Sequence, residues 1–194
     1  MRFSPAFLVL LVAPAVLTAC GDARVAYPNR EDIERNPLYV YAKNSLQVQY
    51  ITNLEAKEPN MSGALKTPKL QALRAAQDSQ ALIQEGWLGT FVRGQDDDVT
   101  GSVVLIDGWM HIGPSFLMTP GIDMHVYLTQ AIDPMEGTFP DETAVEVGPL
   151  VTAFGLQSLP LPAGLTLDGT YRTVVLYDAA VKRVLGFAQL EKAQ

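Results

Sequence analysis

The C-terminal part of this 194-residue chain consists of short apolar runs that are separated by turn-forming residues. Eight runs rich in Val, Ile, Leu, Phe and Tyr follow one another, with Gly, Pro or Asp between them. Such a series is typical of antiparallel β-sandwiches and barrels. It predicts a mainly β domain over residues 86–194, with strands at residues 87–92, 101–106, 110–112, 125–129, 145–150, 157–159, 173–177 and 184–190.

Two function classes are disfavoured by the same region. No glycine-rich phosphate loop opens a helix and no βαβ alternation is present, so a nucleotide-binding α/β fold is not expected. Residues 86–194 contain 13 acidic and five basic side chains, whereas residues 21–85 contain eight of each. The acidic part repels nucleic acids and anionic lipid surfaces, so neither is expected as an electrostatic partner.

Residues 29–85 predict a mixed α/β extension before the β-domain. Leu46, Val48 and Tyr50 alternate with polar residues, which is the period of a strand. Residues 69–85 carry apolar side chains at helical spacing and predict a helix. Pro68 would suit the first turn of that helix.

The N-terminus indicates export and lipidation. Residues 1–19 have a short basic start and an apolar run too brief to span a bilayer, which is typical of a signal peptide. Leu17-Thr18-Ala19-Cys20 resembles a lipobox, in which the Cys20 thiol receives diacylglycerol before cleavage. Residues 20–28 would then be a lipidated tether to a bacterial membrane.

Cys20 and its neighbour also restrict what the mature chain can do. Gly21 follows Cys20 where the common inner-membrane retention signal has Asp, so the outer membrane is favoured in a two-membrane bacterium. Cys20 is the only cysteine, so no internal disulfide is expected. Once lipidated, its sulfur is not available for redox or metal chemistry.

Five segments between residues 86 and 190 identify a family resemblance. They read GWLGTF at 86–91, VTGSV at 99–103, GIDMHVYL at 121–128, VGPL with FGLQ over 147–157, and VVLYD with LGFAQL over 174–190. In this order they resemble the DM-13 domain of Skeletor-type proteins, a candidate electron-transfer domain. The resemblance implies a β-fold and a redox, haem-carrying or metal-carrying role.

One departure from the family pattern concerns the residue on which a redox role would depend. The cysteine that ends the family's "VVIWC" strand falls on Asp178, with Tyr177 at the aromatic position. Leu159 stands where the family has Tyr. The resemblance therefore supports the fold and weakens the electron-transfer inference.

Two Met-His pairs, at 110–111 and 124–125, raise the alternative of a copper site. Such a site would require His111 and His125 to converge, with Met118 as a third ligand and Asp123 nearby. Core or surface packing is the competing interpretation, since Met often fills cores and Asp123 suits a turn. No nucleophile elbow accompanies these residues, which disfavours a serine hydrolase.

Other candidate groups have plainer interpretations. Asp96-Asp97-Asp98 could contribute to a calcium site but suits a solvated turn between strands better. Five aromatic side chains could line an apolar pocket, although core filling is favoured for most of them and partial exposure for Trp109. They are Trp87, Trp109, Phe116, Tyr127 and Tyr177.

Together these features predict an exported, lipid-anchored protein that is not an enzyme and that carries no cofactor. Its expected role is binding or structural at the cell envelope, with an envelope protein or a small ligand as partner. The alternative is an electron-transfer module with copper or haem, and acid–base hydrolysis is the third reading.

Overall fold

The computed structural model describes residues 30–94 and 98–193. The predicted signal peptide, the predicted lipidation site Cys20 and the predicted tether lie outside these ranges, as do Asp96 and Asp97. Three α-helices open the described chain: α1 (Arg30–Arg35), α2 (Pro37–Lys57) and α3 (Ser62–Gln84). A 3-10 turn at Pro59–Met61 joins α2 to α3.

Helices α2 and α3 form an antiparallel hairpin. The Asn44 side chain donates to the carbonyl of Ala75 at 2.9 Å and to the Ser79 hydroxyl at 3.2 Å. Ile51 and Ala72 are buried between the helices. None of the described helices is long and apolar enough to cross a membrane.

The strand predicted around Leu46, Val48 and Tyr50 is wrong, because these residues lie inside α2. Leu46 and Tyr50 are four residues apart, so they share one solvent-facing side of the helix, and each is more than 60% exposed (65% and 63%). The helix start was encoded upstream, in Asn36 followed by Pro37.

The predicted helix at 69–85 exists, but it begins seven residues earlier, at Ser62. Pro68 therefore lies in the helix interior and not in the first turn. It is exposed, and it removes one N–H donor from the α3 ladder.

The β-domain is an eight-stranded antiparallel sheet whose end strands β7 and β8 contact each other, giving a nearly closed barrel. The order across the sheet is β7-β6-β9-β10-β1-β3-β4-β8. The bounds are β1 (Trp87–Arg93), β3 (Ser102–Ile106), β4 (Trp109–Ile112), β6 (Met124–Thr129), β7 (Val145–Pro149), β8 (Gln157–Pro160), β9 (Thr173–Asp178) and β10 (Arg183–Lys192). These eight strands confirm the predicted fold class and correspond to the eight predicted runs.

A second sheet of two short strands, β2 (Val99–Thr100) and β5 (Leu117–Met118), was not predicted. Val99 and Met118 pair in register and are buried in the main core. Two-residue strands give no readable alternation, so the sequence offered no signal for them.

The barrel interior is filled by apolar side chains that alternate along the strands. Val103, Leu105, Met110, Ile112, Val126, Leu128, Val174 and Leu176 are at most 1% exposed and belong to one cluster. Phe116 also lies in this cluster, whereas Trp109 is 44% exposed, as predicted. A filled interior leaves the outer face of the sheet for binding or chemistry.

Two segments cover parts of that outer face. The loop over residues 130–144 places Phe139 against Tyr177 and Val175 of β9. The hairpin end nearest the barrel places Leu38 and Ile83 on Val104 of β3. The helical hairpin thus packs on the β-domain through its base.

Asn36 fastens the hairpin base to the barrel. Its side-chain oxygen accepts from the N–H groups of Leu38 and Tyr39, which caps α2, and its Nδ2 donates to the Ile112 carbonyl at 3.0 Å. Asn36 is 1% exposed, so nothing else can replace these bonds readily.

We expect Asn36→Ala to lower the free energy of unfolding by about 2 kcal/mol, because α2 loses its cap and the hairpin base loses its hydrogen bond to the Ile112 carbonyl. Chemical denaturation measures this. The matched control is Asn53→Ala on the exposed surface of α2, which should leave stability unchanged or slightly raised because alanine favours helix. Equal effects of the two substitutions would contradict this role of Asn36.

Candidate functional site

The carboxylate of Asp178, at the end of β9, is enclosed by backbone N–H groups. It accepts hydrogen bonds from Ile122 at 2.7 Å and Asp123 at 3.3 Å. It also accepts from Ala180 at 3.0 Å and Val181 at 3.4 Å. Burial would raise the pKa of this carboxyl, but the four donors outweigh burial and hold the pKa below its usual value.

Asp178 and His125 do not form a site together. Asp178 lies opposite Met124 in the β6–β9 pair, whereas His125 lies opposite Tyr177, so the two side chains point to opposite faces of the sheet. A Cβ atom at Gly121 would lie 2.5 Å from Asp178 Oδ2, so the 121–123 loop packs directly on the carboxylate. Asp178 therefore holds this loop to β9.

A polar cluster lies on the outer face of β6 and β7. His125 Nδ1 is 2.7 Å from Glu146 Oε1, and His125 Nε2 is 3.0 Å from Asp123 Oδ1. Hydrogen bonding to Glu146 is the main reason that the pKa of His125 is raised; hydrogen bonding to Asp123 adds to it, and burial opposes it. Both ring nitrogens face carboxylates, which suits a protonated imidazolium.

Tyr127 extends this cluster into an aromatic group. Its ring centroid lies 5.5 Å from that of Phe139 and 5.9 Å from that of Tyr177, with edge-to-face geometry in both pairs. Tyr127 lies opposite Glu146 in the β6–β7 pair. Burial raises the pKa of Tyr127, and the charge of Glu146 and hydrogen bonding to it contribute to the increase.

Of the four residues considered for a metal site, the structure brings two together, Asp123 and His125. His111, on the outer face of β4, lies 2.8 Å from the Ser158 hydroxyl, and burial lowers its pKa against the opposing charge of Asp107. Met118 is 3% exposed in the barrel core. Within the described ranges, no three His, Cys, Asp or Glu side chains are grouped to hold a metal ion.

A cleft of about 380 Å³ lies between the hairpin base and the outer face of the sheet. Its apolar walls include Leu38 and Ile83 from the helices and Leu88 from β1. The size falls in the range of small-molecule sites, which are mostly apolar with a few polar groups. Here the polar groups are Gln80, Gln84, Ser102 and Ser115.

A wider depression of about 680 Å³ lies beside the cleft, over β1 and β10. Leu88 and Ala193 line both spaces, so the two lie next to each other. Thr90, Gln189 and Glu191 make the wider part more polar.

Sequence reasoning missed the cleft and Glu146. The cleft joins residues from α2, α3, β1 and the segment after β4, and no local pattern shows that these meet. Glu146 reaches His125 only through the β6–β7 register, which contains a shift between Val126 and Tyr127. The number of residues between His125 and Glu146 in the sequence does not indicate which residues of β6 and β7 lie opposite each other.

Comparisons with known proteins gave one match. A family described as "Electron transfer DM13" matches residues 90–190. No curated protein matches the chain, and no solved structure matches it.

We expect Glu146→Gln to lower the pKa of His125 toward its ordinary value, because the main partner of the imidazolium loses its charge. An NMR titration measures this directly, since the chain contains only two histidines. His111, which has no bond to Glu146, is the internal control and should keep its pKa. A His125 pKa that does not move would show that Glu146 is not its partner in solution.

Proposed function

This chain belongs to the electron transfer DM13 family, and on that premise we propose that it is a lipid-anchored envelope protein that binds a small, mostly apolar ligand. Lipid on Cys20 would hold it to the membrane, the outer one where there are two. The cleft between the helical hairpin and the barrel would be the binding site. No catalytic step is part of this proposal.

The cleft is the observation that supports ligand binding. Leu38 and Ile83 are each 8% exposed and pack on the fully buried Val104, so the floor of the cleft is fixed by the core of the interface. Gly113 has no side chain, and a Cβ atom there would lie 3.2 Å from Leu38 Cδ1. The helix base and the sheet are therefore held close, which favours a preformed site.

Electron transfer is the second candidate function, and the family description favours it. A thiol-dependent version has no residue to carry it, because Asp178 occupies the position at which the resemblance places the family's cysteine. The Asp178 carboxylate has backbone N–H groups as its partners. A haem or copper version would require ligands other than that residue.

Ala42→Phe should weaken binding of the neutral dye N-phenyl-1-naphthylamine by about ten-fold or more, because the larger ring fills the cleft. The dye's fluorescence in a titration of the purified β-domain with its hairpin measures the affinity. The matched control is Ala56→Phe, on the exposed end of α2 away from the cleft, which should bind as the unchanged protein does.

Two outcomes of this titration would count against the cleft as the ligand site. One is unchanged affinity in Ala42→Phe, and the other is an equal loss in Ala56→Phe. A copper or haem absorption band in the purified protein would favour the electron-transfer candidate instead.

Cys20→Ser should abolish lipidation of the full-length protein, because the serine hydroxyl does not receive the diacylglycerol. Labelling with radioactive palmitate should be lost in the same variant. Ser45→Cys, which keeps Cys20 and adds a partly exposed thiol on α2, is the control and should remain lipidated. Palmitate labelling of the Cys20→Ser protein would contradict the anchor.

A further inference from the structure

Tyr127, Phe139 and Tyr177 form a closed triangle of aromatic rings on the outer face of the barrel. All three centroid distances lie between 5.3 and 5.9 Å. Phe139 is 8% exposed and Tyr177 is 5% exposed, whereas Tyr127 is only partly buried. One phenol of the triangle thus reaches the surface while two neighbouring rings shelter its ring from water.

The Tyr127 phenol lies beside a carboxylate, and an imidazole and a second carboxylate lie beyond it. Tyr127 lies opposite Glu146 across the β6–β7 pair, and the two side chains interact electrostatically. Glu146 Oε1 bonds His125 Nδ1 at 2.7 Å, and His125 Nε2 bonds Asp123 Oδ1 at 3.0 Å. These four side chains form a row from the aromatic triangle to solvent.

We propose that Tyr127 is a one-electron redox site whose proton is held by Glu146. An oxidant of the high-potential metal-complex class, supplied by a partner, takes one electron from the phenol. The phenolic O–H bond breaks, an O–H bond forms on the Glu146 carboxylate, and a neutral tyrosyl radical remains while the oxidant is reduced by one electron. Return of one electron and the proton restores both residues.

The surroundings of Tyr127 meet the requirements of such a step. An oxidised phenol is strongly acidic, so a base within reach is needed, and the partly exposed Glu146 carboxylate lies opposite Tyr127. The pKa of Tyr127 is raised, so the neutral phenol is the form that donates the electron. This role goes beyond ligand binding in the cleft and uses different residues, so either can fail alone.

The test uses photogenerated tris(bipyridine)ruthenium(III) as the oxidant and follows tyrosyl radical by transient absorption and by electron paramagnetic resonance. Tyr127→Phe keeps the aromatic packing and should lose most of the fast radical phase. Tyr50→Phe, which removes a phenol that is 63% exposed on α2, should keep it. Loss of the fast phase in Tyr50→Phe and its retention in Tyr127→Phe would overturn the assignment.

A second pair of variants tests the proton acceptor. Glu146→Gln should slow radical formation by about ten-fold or more, because it removes the base. In the unchanged protein the O–H bond breaks in this step, so radical formation should be slower in D₂O, and Glu146→Gln should abolish that difference. Glu142→Gln removes the same charge from the neighbouring exposed loop and controls for attraction of the cationic oxidant. Equal rates in the two glutamine variants would show that Glu146 does not take the proton.

Discussion

Burial of β9 on both faces is the constraint on which the rest of the β-domain depends. All six residues of Thr173–Asp178 are buried. Val174 and Leu176 face the filled barrel interior, while Val175 and Tyr177 face outward and would meet water if nothing covered them. The 130–144 loop supplies that cover, so a long connection with little regular structure is required by the apolar strand beneath it.

The same strand shows which features of the fold can be predicted from the sequence. A run of four apolar residues predicted a buried strand, and the eight predicted strands are all present, because alternation and turn residues are local signals. The misread strand in α2 failed because five alternating residues fit a helix as well as a strand. Side chains that meet across the sheet, such as His125 and Glu146, depend on register and not on local pattern. The sequence therefore offered Asp123 and His125 as candidate ligands, but it gave no indication that Glu146 bonds His125.

Asp178 links the buried strand to the polar cluster outside it. Its carboxylate accepts the N–H of Asp123, and the Asp123 side chain bonds His125. A carboxylate with two oxygens and a full charge can hold backbone N–H groups from both sides of the strand end, which a thiol does much less well. Asp178 is thus a positioning group, because it holds Asp123 and the 121–123 loop at the end of β9.

The cleft and the aromatic triangle occupy different parts of one surface because the barrel interior has no room. Side chains at most 1% exposed fill that interior from several strands, so an internal ligand would have to displace core packing at a large cost in free energy. The outer face is instead open between its two covered regions, the hairpin base on Val104 and the loop on Tyr177. Each cover creates an edge where apolar side chains meet polar ones: the cleft beside the hairpin, and the row from Tyr127 to Asp123 beside the loop. Both proposed sites therefore lie at the edges of segments that are added outside the barrel.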